Sequence, residues 1–228
     1  MTTSGSAKCW GSNSFGELGD GTTTDRSTPV DVSGLTSDVV SINAGVSYTC
    51  VVTTSGGAEC WGIGIGTSAN DDHLPEELTS GVASIDPAHT YTCALSTSGG
   101  VSCAHGYTSG EWSDVEGLTS GVASISAGTN PANFVGYLGC AVTTSGGAKC
   151  WGKNSSGQLG NGTTTDSPTP VDVSGLTSGV ASISAGGSTV CAVTTSGGAK
   201  CWGSNSFGAV SYTHLRAHET LRYRGCRR

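Results

Sequence analysis

Charged residues are scarce in this sequence, and so are large apolar ones. Only 12% of the 228 residues are charged, against roughly 25% in typical globular domains. Valine, leucine, isoleucine and phenylalanine together number 39, and no apolar run approaches the ~18 residues of a membrane span. The 37 glycines and the lack of a 3.6-residue period exclude a long helical bundle. Regular apolar alternation and ten cysteines argue against disorder.

Recognisable catalytic or metal-binding motifs are also lacking. Gly16 and Gly19 lie in a glycine-rich stretch without the Lys-Ser/Thr of a phosphate-binding loop. Three single histidines outside the C-terminal tail, and an acidic stretch, are the other candidates considered: His73, His89, His105, Asp71, Asp72, Glu76 and Glu77. Solvated loops are the simpler interpretation of both. We therefore predict that the chain is not an enzyme, has no cofactor and has no metal site.

Tandem repetition is the dominant feature of the chain. The block C-A-V-T-T-S-G-G-A-K-C-W-G, or a close variant, starts at Cys50, Cys93, Cys140 and Cys191, so its copies are 43, 47 and 51 residues apart. A second block, L-T-S-G-V-A-S-I-S-A-G or a variant, precedes each copy. A longer block containing G-x-L-G-x-G-T-T-T-D occurs twice, within residues 10–34 and 151–175.

Each repeat unit has the pattern of four short β-strands. In the last complete unit we predict strands near 169–173, 180–185, 191–194 and 198–202, because apolar and polar residues alternate with period two. Four strands per unit of this length are typical of a propeller blade. We predict an all-β fold, an incomplete β-propeller of about four four-stranded blades plus partial hairpins. A β-solenoid and a β-sandwich are the alternatives.

These motifs, in this fixed order over residues 1–208, resemble the regulator of chromosome condensation repeat, and more narrowly its cysteine-containing bacterial form. The resemblance implies a propeller, often closed with seven blades in that family, which binds other proteins through loops on one face of the ring. Family activities include inhibition of β-lactamases and nucleotide exchange on a small GTPase. The acidic composition and the lack of a recognisable exchange wedge make the second a poor fit here.

Both ends of the chain depart from the repeat. The first residues align inside a repeat unit, so we expect residues 1–208 to be a repeat array truncated at both ends. Residues 209–228 break off in mid-motif, are rich in arginine, and resemble translated sequencing adapter; a basic functional arm is the alternative. Residues 1–208 carry five basic and 16 acidic side chains, a net charge of −11. This charge predicts no nucleic-acid partner, and we expect no membrane insertion.

Cysteine spacing predicts four disulfide bonds. A three-residue hairpin loop at 195–197, with Gly197 left-handed, places Thr194 opposite Gly198 and therefore Cys191 opposite Cys201. Facing residues lie close enough for a disulfide after modest adjustment; buried free thiols are the alternative. The same ten-residue spacing gives the pairs Cys50–Cys60, Cys93–Cys103, Cys140–Cys150 and Cys191–Cys201. Such bonds predict an extracellular, periplasmic or cell-surface location, with a signal peptide on a missing N-terminus.

Variation between the copies falls on one face of the predicted ring. The S-G-L-T-S-G and S-G-G loops are nearly constant, whereas the loops that emerge at the other face differ. From the second cysteine of a pair to the leucine of L-T-S, for example, the distance is 26 residues in two units and 18 and 15 in the others. The unusual residues of these loops are our binding candidates: Ile63, Ile65, Asp71, Asp72, His73, Tyr107, Trp112, Phe134 and Tyr137. Drift in unconstrained loops is the alternative.

The sequence therefore predicts a secreted or cell-surface propeller domain that binds another, unidentified protein through these variable loops. A structural or adhesive surface repeat that binds glycans is one alternative, and a nucleotide-exchange-like regulator is a weaker one. The tryptophans of C-W-G recur at one repeat position, so for Trp10, Trp61, Trp151 and Trp202 we predict core or inter-blade packing. For Asp20, Asp25 and Asp166 we predict hydrogen bonds that cap turns.

Overall fold

A computed structural model describes residues 5–63, 78–105, 111–129 and 137–205. These residues form 16 β-strands. The strands are β1 (Lys8–Gly11), β2 (Arg26–Asp31), β3 (Val39–Ala44), β4 (Tyr48–Thr53), β5 (Ala58–Gly62), β6 (Val82–Pro87), β7 (Tyr91–Ser96), β8 (Val101–His105), β9 (Trp112–Asp114), β10 (Val122–Thr129), β11 (Tyr137–Thr143), β12 (Ala148–Gly152), β13 (Ser167–Asp172), β14 (Val180–Gly186), β15 (Thr189–Thr194) and β16 (Ala199–Gly203). Among the described residues, no helix is long and apolar enough to cross a membrane.

The strands form five antiparallel sheets in chain order, which we call blades I to V. Blade I is β1–β2, blade II is β3–β4–β5, blade III is β6–β7–β8–β9, blade IV is β10–β11–β12–β13 and blade V is β14–β15–β16. Each strand pairs only with its neighbours in sequence, so every blade is a meander. The blades form a β-propeller that does not close into a ring, which confirms the predicted fold class.

The blade boundary differs from the prediction in one respect. We expected the strand near 169–173 to open the unit that contains 180–202. Instead β13 pairs with β12, with Lys149 opposite Asp172, and is the fourth strand of blade IV. Its neighbour in sequence, β14, starts the next blade. Sequence proximity was misleading because the short 173–179 segment crosses between blades, whereas the long 153–166 segment returns within one.

The hydrophobic core lies between neighbouring blades. One cluster joins Leu138 and Val142 of blade IV to Ile183 and Val190 of blade V, and all four are buried. Equivalent clusters lie between the earlier blades. Because each blade buries its apolar side chains against the next, few large residues suffice to hold the array.

The four predicted disulfides are present. Cys50–Cys60, Cys93–Cys103, Cys140–Cys150 and Cys191–Cys201 each join directly opposed residues, with a Cα–Cα distance of 4.1 Å in every pair. The predicted hairpin is also confirmed, since Gly197 has a φ of 83° and Cys191 pairs with Cys201 in register. Cys9 is the one free cysteine among the described residues.

The first strands of successive blades are joined by side chains at one repeat position. Asn43 Nδ2 donates to the carbonyl oxygen of Ile85 at 2.8 Å. Asp86 Oδ2 accepts from the backbone N–H of Ala127 at 2.8 Å, and Ser126 Oγ accepts from the N–H of Ala185 at 3.0 Å. Blades II, III and IV are each thereby joined to the next blade along their first strands.

Candidate functional site

Alternate connections of a meander emerge at opposite ends of the strands, so the propeller has two faces. We call constant face the end formed by segments 32–38, 54–57, 97–100, 115–121, 144–147, 173–179 and 195–198. The variable face is the opposite end, formed by segments 12–25, 45–47, 88–90, 153–166 and 187–188. The corrected blade boundary leaves this division as the sequence predicted it.

Backbone hydrogen bonds between blades explain why the constant face varies so little. The first N–H of a blade donates to the hairpin-tip glycine of the preceding blade: Val82 to Gly56 at 2.8 Å, and Val180 to Gly146 at 2.9 Å. A Cβ atom on Gly146 would lie 3.1 Å from the nitrogen of Gly179. The S-G-G and L-T-S-G loops are therefore interlocked, and their sequence is restricted by packing rather than by a ligand.

Two buried asparagines organise the long connections of the variable face. Asn154 is fully buried. Its Nδ2 donates to the carbonyl oxygens of Thr163 and Thr165 at 3.1 and 2.9 Å, and its Oδ1 accepts from the N–H of Leu159 at 2.9 Å. Asn13 is its counterpart in blade I, with the same pattern. Sequence reasoning missed both residues, although the recurring W-G-x-N pattern could have indicated them.

The predicted turn-capping role of the aspartates is confirmed. Asp25 and Asp166 accept hydrogen bonds at 2.8 Å from the backbone N–H of Asn13 and Asn154, and Asp20 accepts from the N–H of Thr22 at 2.9 Å. Burial acts to raise the pKa of Asp20, but hydrogen bonds from Thr22 and Arg26 outweigh it, so the pKa lies below its ordinary value. These carboxylates therefore stabilise the loop through hydrogen bonds and are already engaged within it.

The C-W-G tryptophans dock on the preceding blade. Trp61 and Trp151 are almost completely buried. Trp61 Nε1 donates to the carbonyl oxygen of Glu17 at 2.9 Å, and Trp202 Nε1 donates to that of Gln158 at 2.8 Å. The predicted inter-blade packing is thus confirmed for three tryptophans. It is wrong for Trp10, whose side chain is 62% exposed.

Trp151 is hydrogen-bonded to a member of an aromatic cluster at the variable face. Its Nε1 donates to the hydroxyl of Tyr91 at 2.8 Å. The Tyr91 ring lies 4.9 Å from His105 and 4.8 Å from Tyr137, and His105 and Tyr137 are 4.4 Å apart in an edge-to-face contact. Burial raises the pKa of Tyr91, so this hydroxyl stays protonated. His105 is exposed and Tyr137 half-buried, so the cluster offers an aromatic surface above a fixed base.

Of the nine predicted binding residues, three are described by the structure. Tyr137 begins β11 and Trp112 begins β9, so both lie at strand starts rather than within loops. Ile63 and Trp112 are partly buried against the core between blades II and III, so they also contribute to packing. The other six lie outside the described residues: Ile65, Asp71, Asp72, His73, Tyr107 and Phe134. A binding role for all nine stays a prediction.

A second apolar surface was not anticipated from the sequence. A groove of about 580 Å³ lies between blades I and II, and its lining includes Cys9, Trp10, Phe15 and Val46. Trp10, Phe15 and Val46 are all at least half exposed. Sequence reasoning missed this groove because it assigned Trp10, like the other C-W-G tryptophans, to the interior.

Ion pairs join some of the charged side chains on the described part of the variable face. Lys153 Nζ lies 2.8 Å from Asp166 Oδ2, and this hydrogen bond lowers the pKa of the carboxyl and raises the pKa of the ammonium. Within the described ranges, no three histidine, cysteine, aspartate or glutamate side chains are grouped so as to hold a metal ion. The described surface thus suits apolar and aromatic contacts.

Comparison with known families gives two matches. The model of the regulator of chromosome condensation (RCC1) repeat matches residues 4–52 and 146–193. A second model of the same repeat matches residues 180–209. The unmatched middle of the chain contains blade III, whose C-W-G position is occupied by Cys103, Ala104 and His105.

Solved structures show the same fold. A structure of Prp20p from Saccharomyces cerevisiae, reported with its binding properties to Gsp1p and histones, is 17% identical, with a TM-score of 0.71 over 91% of this chain and 56% of that one. Yeast RCC1 (Prp20) with Kap60 bound gives 17% identity and a TM-score of 0.66, covering 86% and 51%. The structure of human WBSCR16 is 18% identical, with a TM-score of 0.58 over 77% of this chain and 51% of that one. The chain spans about half the length of these structures.

Proposed function

Because the chain belongs to the regulator of chromosome condensation (RCC1) repeat family, we propose that it is a protein-binding module that holds its partner on the variable face. Propellers of this family commonly act as binding modules. The partner is another protein, recognised through aromatic and apolar contacts. The chain acts as a scaffold and performs no chemistry of its own.

The contrast between the two faces carries this proposal. The constant face uses its loops to join blades, as in the bond from Val180 to Gly146. The variable face presents Phe15, His105 and Tyr137 on supports that are already fixed, such as the buried Tyr91 and Asn13. Exposed aromatic side chains above a rigid base lose little entropy on binding and are typical of interface hot spots.

An oxidising location fits the four disulfides. Three of them lie in clusters of buried residues between blades: Cys50–Cys60, Cys93–Cys103 and Cys140–Cys150. Disulfides persist outside the reducing cytosol. We therefore propose that this module works in an extracellular, periplasmic or cell-surface compartment.

The test uses three versions of the full chain. They are the wild type, a variable-face variant with Phe15→Ser and His105→Ala, and a constant-face control with Thr36→Arg and Ser178→Arg. All four positions are exposed. Immobilised proteins are incubated with an extracellular protein fraction, and retained proteins are quantified by mass spectrometry. The proposal expects a partner retained by the wild type and the control and lost from the variable-face variant.

Three defined probes sharpen this test. Gsp1p and histones, which Prp20p binds, are titrated directly against the three versions. Histone binding that disappears with salt and ignores the face substitutions reflects only the net charge of −7. A glycan array is the third probe; glycan binding lost from the variable-face variant, without any protein partner, would favour the adhesive alternative. Equal retention of every protein by all three versions would refute the proposal.

A further inference from the structure

Blade III lacks an ion pair that two other blades contain. In blade IV, Lys149 faces Asp172 across the third and fourth strands and lies 2.7 Å from its carboxylate, and blade I has an equivalent pair. In blade III the position of the lysine is occupied by Ser102, which faces Asp114. Ser102 Oγ donates to Asp114 Oδ1 at 2.6 Å. Within the described part of the chain, this carboxylate therefore has a hydroxyl partner but no cationic one.

The tryptophan of blade III also has a different position. Blades II and IV have Trp61 and Trp151 on their third strands, where blade III has Ala104. Ala104 faces Trp112, so the indole of blade III is on the fourth strand. Trp112 is partly buried against the core between blades II and III. On the side that faces blade II, the third strand of blade III thus has only the small side chains of Ser102 and Ala104.

A cavity of about 540 Å³ lies on this side of blade III. Its wall contains Ala94 on β7, Ser102 on β8 and Asp114 on β9, which face one another in a single row across the three strands. Residues of the 78–82 segment, which leads into β6, border the cavity as well. The volume falls within the range of about 300–1,000 Å³ that is typical of small-molecule sites, so the cavity can admit a small ligand.

The lining of the cavity combines hydroxyl groups, one carboxylate and one indole. None of the described lining residues is cationic, so the cavity does not suit an anion. Hydroxyl groups both donate and accept hydrogen bonds, and a carboxylate accepts strong ones from hydroxyl donors. The indole of Trp112 adds an apolar surface. A matching ligand is uncharged, has several hydroxyl groups and has one apolar face. The hydroxyl residues of the lining are Ser80, Ser96, Thr97, Ser98, Ser102 and Ser113.

We propose that this cavity binds a neutral saccharide unit. The C–H face of a pyranose ring packs against Trp112, and the sugar hydroxyls donate to the carboxylate of Asp114. The Ser102 hydroxyl holds that carboxylate in place, and an ionised carboxylate has enough lone pairs to accept from sugar hydroxyls at the same time. The cavity is separate from the variable-face residues Phe15 and His105, neither of which lines it. Saccharide binding is therefore a second activity, independent of the protein partner.

The test titrates maltose, cellobiose, lactose and N,N′-diacetylchitobiose into the full chain by isothermal calorimetry, with tetramethylammonium chloride as a cationic probe. Ser102→Lys gives blade III the lysine that blade IV has, which fills part of the cavity and pairs with the carboxylate. Asp114→Asn removes the charge but keeps the shape of the side chain. Ser145→Lys, at an exposed hairpin tip of blade IV, adds the same charge away from the cavity and is the matched control. Thermal unfolding followed by circular dichroism verifies that each variant folds.

The expected result is binding of at least one disaccharide with a Kd of about 1 mM or tighter. Binding should be about tenfold weaker in Asp114→Asn, because a hydrogen bond to a charged group is lost. It should be abolished in Ser102→Lys and unchanged in Ser145→Lys.

Three outcomes would overturn the proposal. One is that no disaccharide binds at this affinity, and another is that Ser102→Lys binds as the wild type does. The third is that tetramethylammonium alone binds and is lost from Asp114→Asn, which would make the cavity a cation site. Retention of a protein partner on the variable face is measured separately, so failure here leaves the proposed function standing.

Discussion

The indole Nε1 of Trp202 donates a 2.8 Å hydrogen bond to the carbonyl oxygen of Gln158, one blade earlier. Trp61 repeats this contact with Glu17. Gly19 and Gly160 make room for the two indoles: each has a positive φ, and a Cβ atom would lie 2.6 Å from Trp61 Nε1 or 2.7 Å from Trp202 Nε1. The G-x-L-G segment of one blade is thus the receptor for the tryptophan of the next, which links a loop motif to blade docking.

Replacing Trp61 by alanine should therefore destabilise the junction between blades I and II. The side chain is fully buried, and removal of a buried tryptophan costs about 3–5 kcal/mol. Phe15→Ser, at an exposed position of the neighbouring segment, is the matched control and should change stability by less than ~0.5 kcal/mol. Urea unfolding followed by circular dichroism measures both. An equal loss in the two variants would show that Trp61 has no special role in docking.

Asn154→Ala should loosen the long connection of blade IV. The substitution removes the hydrogen bonds to the carbonyl oxygens of the exposed Thr163 and Thr165. It also leaves the N–H of the buried Leu159 without its acceptor, and an unsatisfied buried polar group costs about 1–3 kcal/mol. Thr164→Ala, at an exposed position of the same segment, is the control. Hydrogen exchange of the Leu159 amide provides a local readout. Unchanged protection of that amide in Asn154→Ala would contradict the role assigned to this asparagine.

The local pattern of this sequence predicts the register of a hairpin, but it does not predict which distant strands pair. Counting back from the hairpin glycine gave the register of Cys191 and Cys201, because a tight turn fixes which residues face each other. The partner of β13 could not be obtained in that way. The chain reaches β12 through a long connection and β14 through a short one, and only the hydrogen bonds distinguish the two.

The candidate site shows the same limit. The constant loops were identified by comparing copies, and the structure gives the reason in their inter-blade hydrogen bonds. The cluster of Tyr91, His105 and Tyr137 could not be predicted, since it combines three strands from two blades. The exposure of Trp10 was also unpredictable from its repeat position, because the burial of this tryptophan depends on a neighbouring blade and not on its own.

Asp86→Asn should stabilise the chain near neutral pH. Burial raises the pKa of Asp86, despite hydrogen bonds from Ala127 and Ser126. The folded state therefore holds the proton more tightly than the unfolded state, and wild-type stability from this group falls as the pH rises above the unfolded value of 3.8. An asparagine can still accept the Ala127 hydrogen bond without a buried charge. The gain should shrink as the pH falls below 3.8 in a series of thermal unfolding curves.

Asp20→Asn is the matched substitution with the opposite sign. The pKa of Asp20 is lowered, so its contribution to stability is present above pH 3.8 and is lost as the pH falls through the folded pKa. The variant should be less stable than the wild type at pH 7 and should approach it in acid. Parallel pH dependences for Asp20→Asn and Asp86→Asn would refute both assignments.

The disulfides should stabilise individual blades, and the double variant Cys140→Ala/Cys150→Ala tests this. The bond joins residues ten apart, and closing so short a loop in the unfolded chain gives about 2–3 kcal/mol in the chain-entropy model. Ser145→Ala, at the exposed tip of the same hairpin, should change stability by less than ~0.5 kcal/mol. Reduction of the wild type should lower its stability further, because all four blades with a pair lose their bond. If the double variant unfolded at the wild-type denaturant concentration, the bond would constrain nothing that blade packing does not already hold. In an array where each blade contacts only its neighbours, a loss confined to blade IV should also expose the amides of blade V, which hydrogen exchange can detect.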